Sequence, residues 1–513
     1  MDANAAESSS SAPTADGAPW EEEDNANTMG PVVRVPEVWA TGTKKRGLIL
    51  MDVFCPYFGL YMANNAREAY GVCTISVLSN YMKHYFAKEQ PQDWKFWLPS
   101  AMPVDINTWK ARLPCDEIVA VHCESDSGLA DSEYLAVAAN ALQRNDPNEA
   151  RRDKFLMNQV VGGAGFPVVR QKLCHSLNET LEFASELLQE AEASGSDVSG
   201  SYYDAGVLGQ GTNAATTAAT KKKAYCIVKP TRGVASENVH LCHDEDSIAA
   251  AYYDITSSTV FGDASQKHQS VLVQEFAAGT EYAVDIVSKN GEHKVAALWR
   301  YDKRPCNGAP FCYFATELID ATQSEIGASV CRYAQSCLEV LGHRWGLSHT
   351  EVIVTSKGPR LVEVNCRQHN MDFAPITMAC IGYNAFDMLL AAYLGDEPVH
   401  TFPPDTENIR LDWDSLPDLP ALRLCGAMVH LVSFASGQLK EVQFPKLGEI
   451  HNMESCMEME VYPEFLQVGE MLRKTTDIRS DAGWVQIVND DKDNLKRDYD
   501  RIVELMPQLF TTE

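Results

Sequence analysis

The stretch Glu351-Val-Ile-Val-Thr-Ser-Lys357-Gly-Pro-Arg-Leu-Val-Glu363-Val-Asn365-Cys-Arg367 reads as two apolar, β-branched runs folded back on each other at Lys357-Gly358. Side chains alternate across a strand, so Glu363 and Asn365, two apart, share one face of the sheet. A turn at that place sets Glu351 nearly opposite Glu363 or Asn365. Two carboxylates and a carboxamide converging among apolar neighbours form the oxygen-donor set that holds Mg²⁺, or Mn²⁺, beside phosphates. Held together without a cation, the two acids would repel each other. Arg367, two residues further on, adds a planar bidentate donor for phosphate or carboxylate. On spacing alone the competing reading is an ordinary solvated hairpin face.

Outward from this hairpin the chain alternates strands and helices. Asn290-Gly291 separates alternating runs over 281–287 and 293–299, a second hairpin. Near the start, 47–52 is a short continuous apolar run, as a strand covered on both faces must be. A helical pattern over 59–70, strands over 72–78 and 117–122, and a helix over 131–143 follow, which predicts a parallel α/β unit. A helix over 147–160 ends at Gly162-Gly163-Ala164-Gly165, ahead of a strand over 166–170. Those glycines follow a helix and precede a strand, the reverse of a dinucleotide-binding loop, so they read as a helix stop. Further strands are expected over 224–229 and 270–275, and helices over 247–256 and 384–394. Residues 1–45 are rich in Ser, Ala and Asp and read as a disordered tail; 192–223 reads as a mobile Ser/Gly/Ala/Thr insertion.

Composition narrows the function. The 513 residues exceed one hydrophobic core, so several domains are expected. With 71 acidic against 43 basic residues and a net charge of −28, the chain lacks the basic face of a general nucleic-acid binder. It carries no apolar run of the roughly 20 residues a membrane helix needs, and no secretory or transit signal is visible at its start. The 15 cysteines are scattered without CxxC pairs, which predicts reduced thiols in a cytoplasmic protein rather than a disulfide scaffold or zinc ribbon.

Four segments in order resemble the ATP-grasp enzymes. The hairpin resembles their metal-binding pattern, an acid followed by E-x-N-x-R. Ala150-Arg-Arg-Asp-Lys154-Phe-Leu-Met resembles the "RDK" helix, and Ile227-Val-Lys229-Pro230 the strand bearing a second lysine. Val271-Leu-Val-Gln274-Glu275-Phe276-Ala-Ala-Gly279-Thr-Glu281-Tyr282 resembles the hinge over adenine. The resemblance implies that Lys154, Lys229, Ser236, Gln274, Glu275, Phe276 and Glu281 bind ATP, with Glu275 meeting adenine through its backbone or its side chain. It implies that Glu351, Glu363 and Asn365 hold the metal, and that Lys229 and Arg367 act in catalysis. The loop after Lys229 departs from the glycine-rich pattern: only Gly233 is glycine, and Arg232 offers charge instead.

The implied fold is α/β: a Rossmann-like pre-ATP-grasp domain over 46–150, a lid over 151–275 and a large subdomain over 276–400. A C-terminal α+β capping domain follows over 401–513. The implied activity is ligation of a carboxylate to an amine through an acyl phosphate, with ADP and phosphate released. A biotin-carboxylase-like enzyme and a non-catalytic nucleotide-binding scaffold are the alternatives. The layout is most similar to L-amino-acid ligases and carnosine-synthase-like proteins, which implies small-molecule substrates, a carboxylate and an amine with amino acids among them, and allows a homodimer. Arg300, Tyr313 and Arg367 are the candidate substrate contacts, with a long loop expected over 304–316; Tyr313 can equally serve packing.

Overall fold

The computed structural model describes residues 45–513 except 54, 56, 80, 83–94, 98–106, 108–109, 111–112, 114, 194–223, 234–236, 261–262, 370–372 and 396–409. All but the last residue of the 1–45 tail, nearly all of the 192–223 insertion and the first residues of the expected C-terminal domain, 401–409, therefore lie outside the described residues.

The first unit is the expected parallel sheet. Strands β1 (Arg46–Met51), β2 (Cys73–Leu78), β3 (Lys95–Trp97) and β4 (Glu117–Cys123) run in the order β3-β2-β1-β4, all pairs parallel. Helix α1 (Met62–Tyr70) connects the first two strands. Leu48, Ile49, Leu50 and Met51 have no exposed surface, which is why this central strand is apolar without alternation. Helix α2 (Leu129–Ala138) is shorter than the 131–143 expected, because Asn140 takes a left-handed conformation (φ 55°) that stops it.

The next helix also differs from expectation. Glu149–Arg151 forms only a 3₁₀ turn, and α3 starts afresh (Lys154–Gly163). Asp153 caps it by accepting from the backbone N–H groups of Phe155 and Leu156. Lys154 therefore stands on the first residue of a helix. The chain over 166–170 is not a strand; pairing begins at β5 (Gln171–Cys174). After α4 (Leu177–Ala193) come β6 (Cys226–Lys229), β7 (His240–Cys242), α5 (Glu245–Ser257), a small ribbon of β8 (Thr259–Val260) with β9 (Asp263–Lys267), and β10 (Val271–Glu275). β5-β10-β6-β7 form an antiparallel sheet whose apolar side packs on the two helices through Phe183, Leu187, Ile248 and Ile255.

The largest sheet has eight strands. β11 (Gly279–Lys289) and β12 (Glu292–Cys306) turn at Asn290-Gly291, where both residues have positive φ (51° and 88°). β12 and β13 (Ala309–Leu318) form a further hairpin through Asn307-Gly308 (φ 53° and 87°). The long loop expected over 304–316 is thus a second Asn-Gly turn between strands. Helix α6 (Glu325–Val340) covers the sheet before β14 (Gly346–Thr355) and β15 (Gly358–Asn365). Thr355 pairs with Gly358, so the tight loop is Ser356-Lys357, one residue earlier than anticipated. Helices α7 (Ala374–Cys380) and α8 (Ala385–Leu394) follow, the latter buried from Phe386 to Leu394.

Beyond 409, β16 (Cys425–His430) pairs with β13, and β20 (Gly483–Asn489) and β18 (Cys456–Val461) extend the same sheet; the order is β15-β14-β11-β12-β13-β16-β20-β18. Three of the C-terminal strands, β16, β18 and β20, thus continue the large sheet. β17 (Gly437–Val442), β19 (Met471–Leu472) and β21 (Phe510–Thr512) make a small outer sheet. Beside it lie α9 (Phe444–His451) and α10 (Lys492–Leu505), with Leu495, Tyr499 and Ile502 in the core. No single helix among the described residues is long and apolar enough to cross a membrane.

Candidate active site

A cavity of about 510 Å³ opens where three parts of the chain meet. The small antiparallel sheet contributes Lys229 and Gln274, the β14–β15 hairpin contributes Glu351, Glu363 and Asn365, and the loop after β4 contributes Asp126. The hairpin register puts Glu351 directly across from Glu363. Asn365 donates its Nδ2 to Glu363 Oε1 at 2.9 Å, and Lys154 Nζ lies 2.6 Å from Glu363 Oε2. Lys154 also donates to the Gly233 carbonyl at 3.3 Å, which ties the first turn of α3 to the loop after β6.

This chain is strongly acidic overall, yet cations gather here. Lys229 is 5% exposed at the end of β6. Burial lowers its pKa to about 8, and Lys154 adds to the effect, while Glu363, Glu351 and Glu281 pull the other way. Glu281 on β11 is bound by Lys303 at 2.7 Å; burial raises its pKa, and the neighbouring Glu351 raises it further against that lysine. Burial also opposes ionisation of Glu351. A hydrogen bond with His349 and the charge of Lys303 outweigh it and hold this carboxyl below the usual range. Arg367 makes a two-point contact, Nε to Asp126 Oδ1 at 2.9 Å and Nη2 to Asp126 Oδ2 at 2.8 Å. That pair bridges 241 positions of sequence and keeps Asp126 ionised despite its burial.

Behind Glu351 lies a buried polar network. His349 Nδ1 is 3.3 Å from Asp285 Oδ1, and its Nε2 is 3.2 Å from Glu351 Oε1. Burial disfavours the imidazolium, but two carboxylates raise the pKa to about 9. His369 stacks on His349, with ring centroids 3.9 Å apart and planes 20° apart, and burial lowers its pKa to about 4. Tyr301 contributes its hydroxyl to His369 Nε2 at 3.0 Å, and Trp299 Nε1 donates to Asp285 at 2.7 Å. Asp285, His349 and His369 bring ligand atoms within 4.8 Å of one another, a spacing a metal would accept. A metal, however, must lie in the plane of each ligating ring, and stacked, nearly parallel planes do not meet near either ring. The cluster is better described as a hydrogen-bonded support that fixes Glu351.

Most residues singled out from sequence face this cavity: Lys154, Lys229, Gln274, Glu275, Phe276, Glu281, Tyr313, Glu351, Glu363, Asn365 and Arg367 all line it. Arg300 does not. Its neighbours Tyr301 and Lys303 line the cavity, whereas Arg300 pairs with Glu317 outside that lining. Alternation along β12 accounts for the difference, because adjacent residues point to opposite faces. Ser236 lies outside the described residues. Five further residues at the site escaped the sequence reading: Asp126, Tyr301, Lys303, His349 and His369. His349 carried a usable signal, standing two residues before Glu351 on the same strand face; Tyr301 and Lys303 share their own face by the same rule. Asp126 carried none, since it reaches Arg367 only through the fold.

Residues 222–374 match the model of the ATP-grasp domain family. Over 293 residues the chain is 30% identical to dapdiamide A synthase of Enterobacter agglomerans, covering 56% of this chain and 60% of that protein. Over 125 residues it is 30% identical to carnosine synthase 1 of Gallus gallus, covering 24% of this chain and 13% of that one. The chain thus matches less than two thirds of the length of either curated relative. The solved structure of an L-amino acid ligase from Bacillus licheniformis superposes with a TM-score of 0.61 at 14% identity, over 92% of this chain and 100% of that one. Residues 222–374 thus match the ATP-grasp domain, and the chain shares the fold of that L-amino acid ligase.

Proposed function

We propose that the chain is an ATP-dependent ligase that joins a carboxylate to an amine, with amino acids as its substrate class. The observation that carries this reading is the convergence of Lys154, Lys229, Glu351, Glu363, Asn365 and Arg367 on one cavity. In this reading the two lysines meet the triphosphate, and the edge of β10 with Phe276 receives the base. Glu351, Glu363 and Asn365 fit Mg²⁺: they are oxygen donors brought together by register, and Glu363 at present takes its positive charge from Lys154. When bound, the ion would screen the phosphate charge. The γ-phosphoryl group passes to a carboxylate oxygen of the first substrate, giving an acyl phosphate and ADP. The amine then attacks the acyl carbon, phosphate departs, and the amine loses a proton. Arg367, held flat by Asp126, is placed to steady the negative charge of the transferring group. The name of the L-amino acid ligase favours amino acids, and the aromatic wall of Tyr301, Tyr313 and Phe373 suits an apolar side chain. We place the activity in the cytoplasm, in keeping with 15 unpaired cysteines.

Glu363→Ala tests the assignment. It should abolish Mg²⁺-dependent phosphate release from ATP while the far-ultraviolet circular dichroism stays that of the parent. Full turnover in that variant would overturn the reading.

A further inference from the structure

We propose that Arg152 and Arg232 form a receptor for the terminal phosphoryl group of the nucleotide, so that the site tells a triphosphate from a diphosphate. The inference rests on the ATP-dependent reading above. A second, smaller cavity lies next to the Lys154–Glu363 pair, with Arg152, Arg232, Gly233, Asp126 and Asn365 in its wall.

The other charges around this cavity are matched. Arg151 is held by Glu133 at 2.8 Å and by the carbonyls of Leu341 and Gly342. Lys154 is held by Glu363, and Asp126 by Nε and Nη2 of Arg367. Arg152 and Arg232 are not matched. Nη1 of Arg152 is shut away from solvent with no hydrogen-bond partner. The side chain of Arg232 makes no hydrogen bond or ion pair among the described residues. A buried guanidinium N–H group without an acceptor is costly, and two neighbouring guanidinium charges repel. Burial, and then the nearby charges of Arg232 and Arg367, weaken the hold of Arg152 on its proton, with Asp126 opposing them.

An arrangement of this kind becomes favourable when an anion enters. Its position names the anion. The pair stands beside Lys154 and next to Glu363 and Asn365, the residues assigned above to the metal and the triphosphate. A carboxylate has two oxygens, which one guanidinium fork satisfies. Two forks together with Lys154 call for the three oxygens and two charges of a terminal phosphoryl group. Arg232 also sits in the loop after Lys229-Pro230, where only Gly233 is glycine. That loop reaches α3 through the contact of the Gly233 carbonyl with Lys154, so charge at Arg232 takes the place of further backbone amides.

The test is calorimetric, on the full chain, with Mg·ADP and the non-hydrolysable β,γ-imido analogue of Mg·ATP as probes. Wild type binds both. Arg152→Gln and Arg232→Gln should each lose about tenfold or more in affinity for the imido triphosphate, as expected for a charge-assisted contact, and stay within about twofold for ADP. Arg152→Lys should recover part of the loss. Should Arg152→Gln fail to fold, Arg232→Gln carries the test from a half-exposed loop position. Equal losses for both nucleotides, or no loss for either, would overturn the proposal and leave the ATP reading standing. Failure of wild type to bind either nucleotide would overturn both.

Discussion

Arg367 and Asp126 offer the sharpest energetic test of how the site is held. The two side chains meet through two charge-assisted hydrogen bonds of 2.9 and 2.8 Å, with 19% and 14% of their surfaces exposed. An exposed pair would contribute at most ~1 kcal/mol. Breaking a fully buried pair by removing one partner costs ~3–5 kcal/mol, because the survivor is left uncompensated. With some water reaching both groups, the structure argues for ~2–4 kcal/mol in either Asp126→Ala or Arg367→Ala. The double variant removes both charges, so its loss should fall short of the sum by about 2 kcal/mol. The assay is urea unfolding followed by tryptophan fluorescence, run on all four proteins at one pH. Loss of Arg367 should also lower phosphate release by roughly 10²–10³-fold, the range for removing one donor to a developing negative charge. Arg367→Lys should recover little of it, since an ammonium cannot reproduce the fork. Additivity within ~0.5 kcal/mol would refute the coupling and, with it, the idea that the N-terminal unit positions Arg367.

Lys229 gives a proton-linked prediction. Its pKa lies near 8 in the nucleotide-free protein, below the ordinary 10.5. The unfolded chain therefore binds more protons between these values, and Lys229 makes the nucleotide-free fold gain stability as pH rises through this window. Phosphate oxygens would raise the pKa again, so nucleotide binding near pH 9 should take up close to one proton; calorimetry in buffers of different ionisation enthalpy measures it, and Lys229→Met should abolish it. Two glycines give opposite stability effects. Gly308 sits at φ 87° with open space around it, so Gly308→Ala should cost ~1–2 kcal/mol from backbone strain alone. Gly448, inside α9 and equally unobstructed, should gain ~0.5–1 kcal/mol on change to Ala, both read by thermal unfolding.

What the sequence made legible follows from how local each signal is. The β14–β15 hairpin rests on alternation and a tight turn, but the pairing of Glu351 with Glu363 also needs a bulge between Glu351 and Val352, without which the turn would set Glu351 opposite Val362. The central strand β1 was legible because both faces are buried and leave an unbroken apolar run. Asn307-Gly308 carried the same signal as Asn290-Gly291, but polar and aromatic residues on its flanks obscured the strands. The start of α3 was missed because the weight given to apolar periodicity overrode the cap at Asp153. The continuation of the large sheet past β13 depends on a pairing between segments more than 100 positions apart, which no local pattern encodes. Asp126 was invisible for the same reason. Arg300 was misjudged at a place where alternation, applied to Tyr301 and Lys303, would have turned it away from the cavity.

The central claim is that phosphoryl transfer at the Glu351/Glu363 hairpin activates a carboxylate for attack by an amine. The most direct measurement incubates the purified chain with Mg²⁺, γ-labelled ATP and pooled amino acids, and resolves nucleotide, phosphate and condensed product together. The account predicts ADP, inorganic phosphate and an amide-linked product in equal amounts. AMP with pyrophosphate, or ATP hydrolysis that no carboxylate and amine pair accelerates, would contradict it.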